Sequence, residues 1–244
     1  MQPEAARLRL RAALDVLGLL PTTESEQRAL TDSLLRYLAL LAKWNRTYNL
    51  TAVRDPAQML VQHIFDSAAV VSALRRRVEA RAQRPSGPRP SIVDVGSGAG
   101  LPGIVIALLW PDADLVLVEP VAKRAAFLQQ AVAELALTNV RVIRSRVEDL
   151  AHTLPAPDAI VCRAFASLAE YARAVQDVVA PHTVVTAMKA AVDDAEKSAL
   201  TDGWHIAEIV PLQVPELDAR RSLVVLERTD PASSDGQQES KTLD

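Results

Sequence analysis

The sequence predicts an α/β protein: a mostly parallel seven-stranded sheet with an antiparallel pair at its C-terminal edge, preceded by a helical extension. Three observations predict it. Short β-branched runs recur after residue 91, and a clear helix lies between the second and third of them. A glycine-rich turn follows the first run, in IVDVGSGAGLPG (92–103). Before residue 84, by contrast, leucines recur at helical spacing.

In the extension, Leu30, Leu34, Leu38 and Leu41 mark one helix, and Thr23 with Glu26 three residues on forms a capping-box pattern at its start. Asp55-Pro56 suits the N-cap and first position of a further helix, with Leu60, Ile64, Val71, Leu74 and Val78 along one stripe. That periodicity ends in RRRVEARAQRPSGPRP (75–90), read as a linker with six Arg against one Glu. IVDVG (92–96), DLVLVEP (114–120), VRVIRSR (140–146) and DAIVCRAF (158–165) then read as strands. KRAAFLQQAVAELAL (123–137) is the helix, and the β-α-β-α-β order implies right-handed parallel crossovers. HTVVTAMK (182–189) suits a fifth strand. WHIAEIVPLQV (204–214) and RSLVVLER (221–228), with no helix-length segment between them, read as the antiparallel pair. The expected organisation is a helical extension and basic linker over 1–90, one α/β domain over 91–229, and a polar, disordered tail over 230–244.

At 49% hydrophobic and 23% charged, the 244-residue chain can bury a sizeable core and stay soluble. No apolar run reaches membrane-span length, and the N-terminus does not resemble a signal peptide, so a cytoplasmic protein is expected. The single cysteine, Cys162, excludes an internal disulfide framework, and histidines at 63, 152, 182 and 205 lack paired metal-ligand spacing, so no metal is expected. Residues 1–90 hold 14 Lys and Arg against 8 Asp and Glu, a net of +6; residues 91–244 hold 13 against 22, a net of −9. A basic part joined to an acidic one suggests that the first handles a polyanion, though chance variation gives the same asymmetry.

The glycine turn narrows the ligand. Gly96, Gly98 and Gly100 allow positive-φ turns and keep side chains away from a ligand at the carboxyl ends of the strands. The dinucleotide fingerprint needs a glycine where Leu101 stands, and the nucleotide P-loop pattern does not occur. Asp94 precedes the turn, Glu119 at the end of the second strand is placed for two ribose hydroxyls, and Val147-Glu148-Asp149 follows the third strand, where an adenine is read. This pattern suits S-adenosylmethionine; a purely structural turn is the bland reading.

Six stretches together carry a resemblance: WNRTYNLTAVRD (44–55), QHIFDSAAV (62–70), DVGSGAGLPGI (94–104), KRAAFLQ (123–129), SRVED (145–149) and CRAFASL (162–168). In order, over about residues 30–228, they resemble the bacterial small-subunit methyltransferase G, or glucose-inhibited division protein B, family. The resemblance implies a Rossmann-like S-adenosylmethionine-dependent methyltransferase that modifies N7 of one guanine in 16S ribosomal RNA, alone or in the small subunit. It implies cofactor contacts from Gly96, Leu101, Val147, Glu148 and Arg163. It turns Asn45, His63, Asp66 and Arg163 into candidates for the catalytic end, as positioning groups rather than bases. Lys189-Ala190 departs from the Lys-Gly frequent in the family.

Bland readings stand beside these. Asn45, Asn49 and Thr51 suit capping and turn bonds, and His63 and Asp66 suit a local hydrogen bond on one helix face. Cys162 could be a base-attacking nucleophile, but a lone cysteine in DAIVC is more often a buried small hydrophobe. Arg75, Arg76, Arg77 and Lys189, with Arg81, Arg84 and Arg89, are candidate RNA contacts or a solvated linker. A monomer is expected. A non-catalytic RNA-binding protein and a small-molecule methyltransferase remain the competing functions.

Overall fold

The computed structural model describes residues 2–81 and 89–229. Arg84 and the tail from Asp230 lie outside the described residues.

The extension begins with α1 (Pro3–Val16) and α2 (Glu24–Tyr48). The capping box at the start of α2 is formed: the Thr23 hydroxyl accepts the Glu26 N–H, and the Glu26 carboxylate accepts the Thr23 N–H. Its apolar stripe buries Leu34, Leu38 and Leu41, and it stops where Asn49 takes a left-handed φ of 48°. Asp55 caps α3 (Pro56–Met59) through the Gln58 N–H.

The single stripe expected from Leu60 to Val78 is broken up. Beyond α3 the chain winds as a π-helix over Leu60–Phe65, passes through α4 (Asp66–Ala68), turns, and resumes as α5 (Val71–Arg81). Nearly every residue from Met59 to Val71 is buried, so the segment threads between the extension and the sheet instead of showing them one face. A π turn holds an extra residue, which re-aims the side chains following it.

The sheet comprises β1 (Ser91–Val95), β2 (Asp114–Val118), β3 (Val140–Ile143), β4 (Ala159–Arg163), β5 (Val184–Lys189), β6 (Trp204–Leu212) and β7 (Arg221–Arg228), ordered β3-β2-β1-β4-β5-β7-β6. The last two strands pair antiparallel as expected. β7 also lies antiparallel to β5, between β5 and β6. Only β7 therefore runs against the others. The short helix α9 (Asp194–Ser198) supplies the crossover that carries β6 past the slot β7 later fills.

Both faces of the sheet are covered, which explains the nearly continuous apolar strands. Strand alternation places Val93, Val95 and Cys162 on the face packed by α8 (Leu168–Val175). Ile92 and Val161 point to the opposite face, under α5 and α6 (Gly103–Leu109). There α2, α6, α7 (Ala122–Glu134) and the π segment share a core with Leu117, Ala99 and Leu101. The extension is thus packed directly over the glycine turn.

Candidate active site

The turn after β1 is built by its own backbone. The Gly96 and Ser97 N–H groups donate to the Val118 carbonyl, and Gly96, Gly98 and Gly100 all have positive φ. The glycines divide by function. A Cβ on Gly96 would meet nothing within 4 Å, so the backbone there faces open space. A Cβ on Gly100 would lie 2.5 Å from Ile104 Cδ1, and one on Gly103 would lie 2.5 Å from Asp94 Oδ2. Gly96 leaves room for a ligand, whereas Gly100 and Gly103 are required by packing.

Two buried carboxylates frame the turn. Asp94 Oδ2 accepts the Gly103 N–H at 3.0 Å, while Oδ1 is buried without a partner. Burial pushes this carboxyl up to about 7, against the pull of the Gly103 N–H. Glu119 takes the Gly98 N–H on Oε2 and the Val121 N–H on Oε1, each at 2.8 Å. It therefore ties the glycine turn to the start of α7, and each oxygen keeps a further lone pair. Leu101 and Val147 are buried; Glu148 is exposed and opens the short 3₁₀ turn Glu148–Leu150.

Sequence reasoning missed Tyr37. Its hydroxyl, fully buried on α2, donates to the Ala99 carbonyl at 2.6 Å, inside the glycine turn. The signal for it was a tyrosine in the middle of a leucine stripe, whose polar tip needs a partner when buried. Tyr37→Phe leaves the Ala99 carbonyl unsatisfied and is expected to cost about 1–3 kcal/mol, read from urea unfolding. An unchanged unfolding midpoint would show that the turn keeps its shape without this bond.

A second cluster stands across the carboxyl edge. Asp66, buried on α4, accepts Arg163 Nη1 at 3.1 Å on one oxygen and Arg221 Nε at 3.0 Å on the other. Arg163, the last residue of β4, also donates to the Gln62 carbonyl in the π segment at 3.0 Å. His63 Nε2 lies 3.0 Å from the Thr51 hydroxyl, and its Nδ1 is buried and unpartnered. Burial and the nearby Arg163 charge lower the imidazole to about 4, so it is neutral at physiological pH. Asn45 clamps the adjoining loop, accepting the Thr51 N–H and donating to the Val53 carbonyl. Thr51 serves the turn through the Val53 N–H and also reaches His63. The His63 and Asp66 side chains thus take different partners rather than bonding to each other.

Arg221 is a further residue that sequence reasoning missed. Nothing in RRSLVVLER distinguishes it, because its partner is 155 residues away and the position of β7 decides the contact.

Cys162 is buried on the α8 face and burial raises its thiol, which suits the small-hydrophobe reading. The run expected as a linker from Arg75 is helical as far as Arg81, the end of α5: Arg75 pairs with Glu79 and lies over Trp110, Arg77 pairs with Glu208, and Arg81 pairs with Glu227. Arg76 is exposed and has no carboxylate partner among the described residues. Lys189, at the end of β5, is held by Glu196 and the Phe165 carbonyl.

Residues 30–224 match the profile of the family described as rRNA small subunit methyltransferase G. The chain belongs to that family. A ribosomal RNA small subunit methyltransferase G from Bordetella avium is 43% identical over 226 residues, covering 92% of this chain and 95% of the relative. One from Burkholderia lata is 46% identical over 203 residues, covering 80% and 85%. The fold is also that of a crystallised mutant of MtNAS, at 16% identity and a TM-score of 0.52, over 90% of this chain and 81% of that one. Membership in this family makes the chain a methyltransferase with S-adenosylmethionine as its cofactor. The glycine turn fits that group: Gly96 opens onto free space, and the unpartnered Asp94 oxygen is a buried acceptor beside it.

Proposed function

We propose that this chain methylates N7 of a guanine in 16S ribosomal RNA, and that its residues act by positioning rather than by proton abstraction. S-adenosylmethionine supplies an electrophilic methyl group when bound. Glu119 and the Gly96 backbone would hold its ribose end, Val147 and Glu148 the adenine side, and Asp94 its charged end. Asp66, Arg163, His63 and Asn45 shape the wall against which the base is aligned.

The observation that carries the N7 reading is the lack of a poised base or nucleophile among the described residues of that wall; Asp94, whose carboxyl burial raises to about 7, is fully buried against the Gly103 N–H at the cofactor's end. Both Asp66 oxygens are committed to arginines, His63 is a poor proton acceptor at about 4, and Cys162 faces the other side of the sheet. Guanine N7 carries an in-plane lone pair and no proton at neutral pH, so its attack on a methyl group requires none to be removed. The chain's task is then alignment and exclusion of water.

The test incubates the protein with methyl-labelled cofactor and small ribosomal subunits, protein-free 16S RNA or a metabolite extract. Label is expected in 7-methylguanosine from 16S RNA. Label in 5-methylcytosine, or only in a small metabolite, would sink the reading, and cofactor binding without transfer would favour a non-catalytic role. Within the cofactor site, Glu119→Ala is expected to weaken cofactor binding by about 1.5–3 kcal/mol. Calorimetry with an unchanged affinity would remove Glu119 from the ribose role.

A further inference from the structure

The cations of this chain differ in what already holds them. Arg77 and Arg81 are paired with Glu208 and Glu227 on β6 and β7, and Arg89 lies 3.1 Å from Asp114. Asp114 opens β2, and the Thr183 carbonyl, which takes a second bond from Arg81, immediately precedes β5. This arginine run therefore leads to the amino edge of the sheet, the end opposite the glycine turn. A phosphate bound by Arg77, Arg81 or Arg89 would have to displace a carboxylate, and Arg76, which has none among the described residues, belongs to the same run.

Arg46, Arg54 and Arg220 are different. All three are exposed, and none has a carboxylate partner among the described residues. Hydrogen bonds of their neighbours along the chain locate them. Asn45 holds Thr51, Thr51 meets His63, and the neighbouring Gln62 carbonyl receives Arg163 at the carboxyl end of β4. Arg46 follows Asn45, and Arg54 donates to Asn49 Oδ1 at 2.9 Å at the end of the same loop. On the other flank, Arg220 precedes the Arg221 that binds Asp66. Two residues beyond Arg46, at the end of α2, Tyr48 is 40% exposed and leans on Trp44 at 5.1 Å.

We propose that Arg46, Arg54 and Arg220 form the grip that holds the RNA phosphates flanking the target guanine, with the Tyr48 ring as a stacking platform for an adjacent base. The inference rests on the methyltransferase reading above and names the surface through which that site takes its substrate. Arg46 and Arg54 adjoin the Asn45–Thr51 side of the Asp66–Arg163 cluster and Arg220 adjoins its Arg221 side, so the three can neutralise the backbone on either side of an inserted nucleotide. An exposed aromatic ring supplies sequence-tolerant stacking.

The test measures 16S RNA affinity by fluorescence anisotropy between about 50 and 200 mM salt, with cofactor affinity measured calorimetrically alongside. Arg46→Ala/Arg54→Ala/Arg220→Ala is expected to flatten the plot of log affinity against log salt by about 2–3 units, at roughly 0.7–0.9 for each phosphate no longer neutralised, with cofactor affinity unchanged. Replacing the same three by Lys should restore the slope, which separates the effect of charge from misfolding. Tyr48→Ala should weaken binding about tenfold at every salt concentration, leaving the slope alone. A parental slope in the triple Ala variant overturns the proposal. So does a slope that flattens instead in Arg75→Ala/Arg76→Ala/Arg77→Ala. A parent protein that binds RNA with this slope but transfers no methyl group would sink the catalytic reading and leave the surface standing.

Discussion

Asp66→Ala is expected to destabilise the protein by about 3 kcal/mol and to slow methyl transfer about a hundredfold. Asp66 is almost fully buried and is the carboxylate to which both Arg163 and Arg221 donate. Removing one partner from a buried ion cluster leaves the others uncompensated, at a cost of about 3–5 kcal/mol. The arginines are about a quarter exposed, so solvent screening places this case at the low end. The kinetic loss follows from geometry: without Asp66, Arg163 keeps only the Gln62 carbonyl as an anchor among the described residues, and misplacement by about 1 Å costs about a hundredfold. Arg221→Ala should cost less, because Asp66 still holds Arg163. Urea unfolding orders the variants, and an Asp66→Ala midpoint equal to the parent's would mean that the triad carries no stability.

Stability is expected to vary little between pH 4.5 and 6.5 in the parent, and to vary strongly, in opposite directions, in two variants. His63 is lowered from 6.5 to about 4, so over this range the unfolded chain binds the extra proton and stability rises with pH. Asp94 is raised from 3.8 to about 7, so the folded chain binds the extra proton and stability falls with pH. One proton on each side nearly cancels. Asp94→Asn should therefore reveal the His63 contribution, gaining about 2–3 kcal/mol as pH rises from 4.5 to 6.5. His63→Asn should lose a similar amount over the same interval. Equal slopes in both variants would show that the two groups do not titrate as their burial requires. The same depression of His63 predicts that His63 leaves no inflection in the single-turnover methylation rate from about pH 6.5 to 8.5, while any inflection near 7 belongs to Asp94 and is lost in Asp94→Asn. A rate rising through a group near 6.5, and losing that rise in His63→Asn, would make His63 a base.

How much of this was legible in advance depended on the range of the interactions. The capping box at Thr23, the Asp55 cap, the glycine turn and the seven strands are local patterns. Each needs only a few neighbouring residues to agree, and each formed where periodicity and turn chemistry placed it. The continuous helix expected from Leu60 to Val78 did not form, because the segment is buried on all sides and tertiary packing favoured a π turn over regular winding. The pairing of Arg77 and Arg81 with carboxylates was equally invisible, since both partners lie more than 100 residues further along the chain.

By itself, the sequence determined the order of strands and helices, the shape of the ligand turn, and the residue types standing at the strand ends, because these follow from short-range sterics and side-chain periodicity. Only the tertiary structure decided that β7 slots between β5 and β6, and hence that Arg221 meets Asp66. Only packing of α2 over the sheet brought Tyr37 to the Ala99 carbonyl. These contacts join residues 62 and 155 positions apart, and no local preference encodes which distant groups will share a buried site.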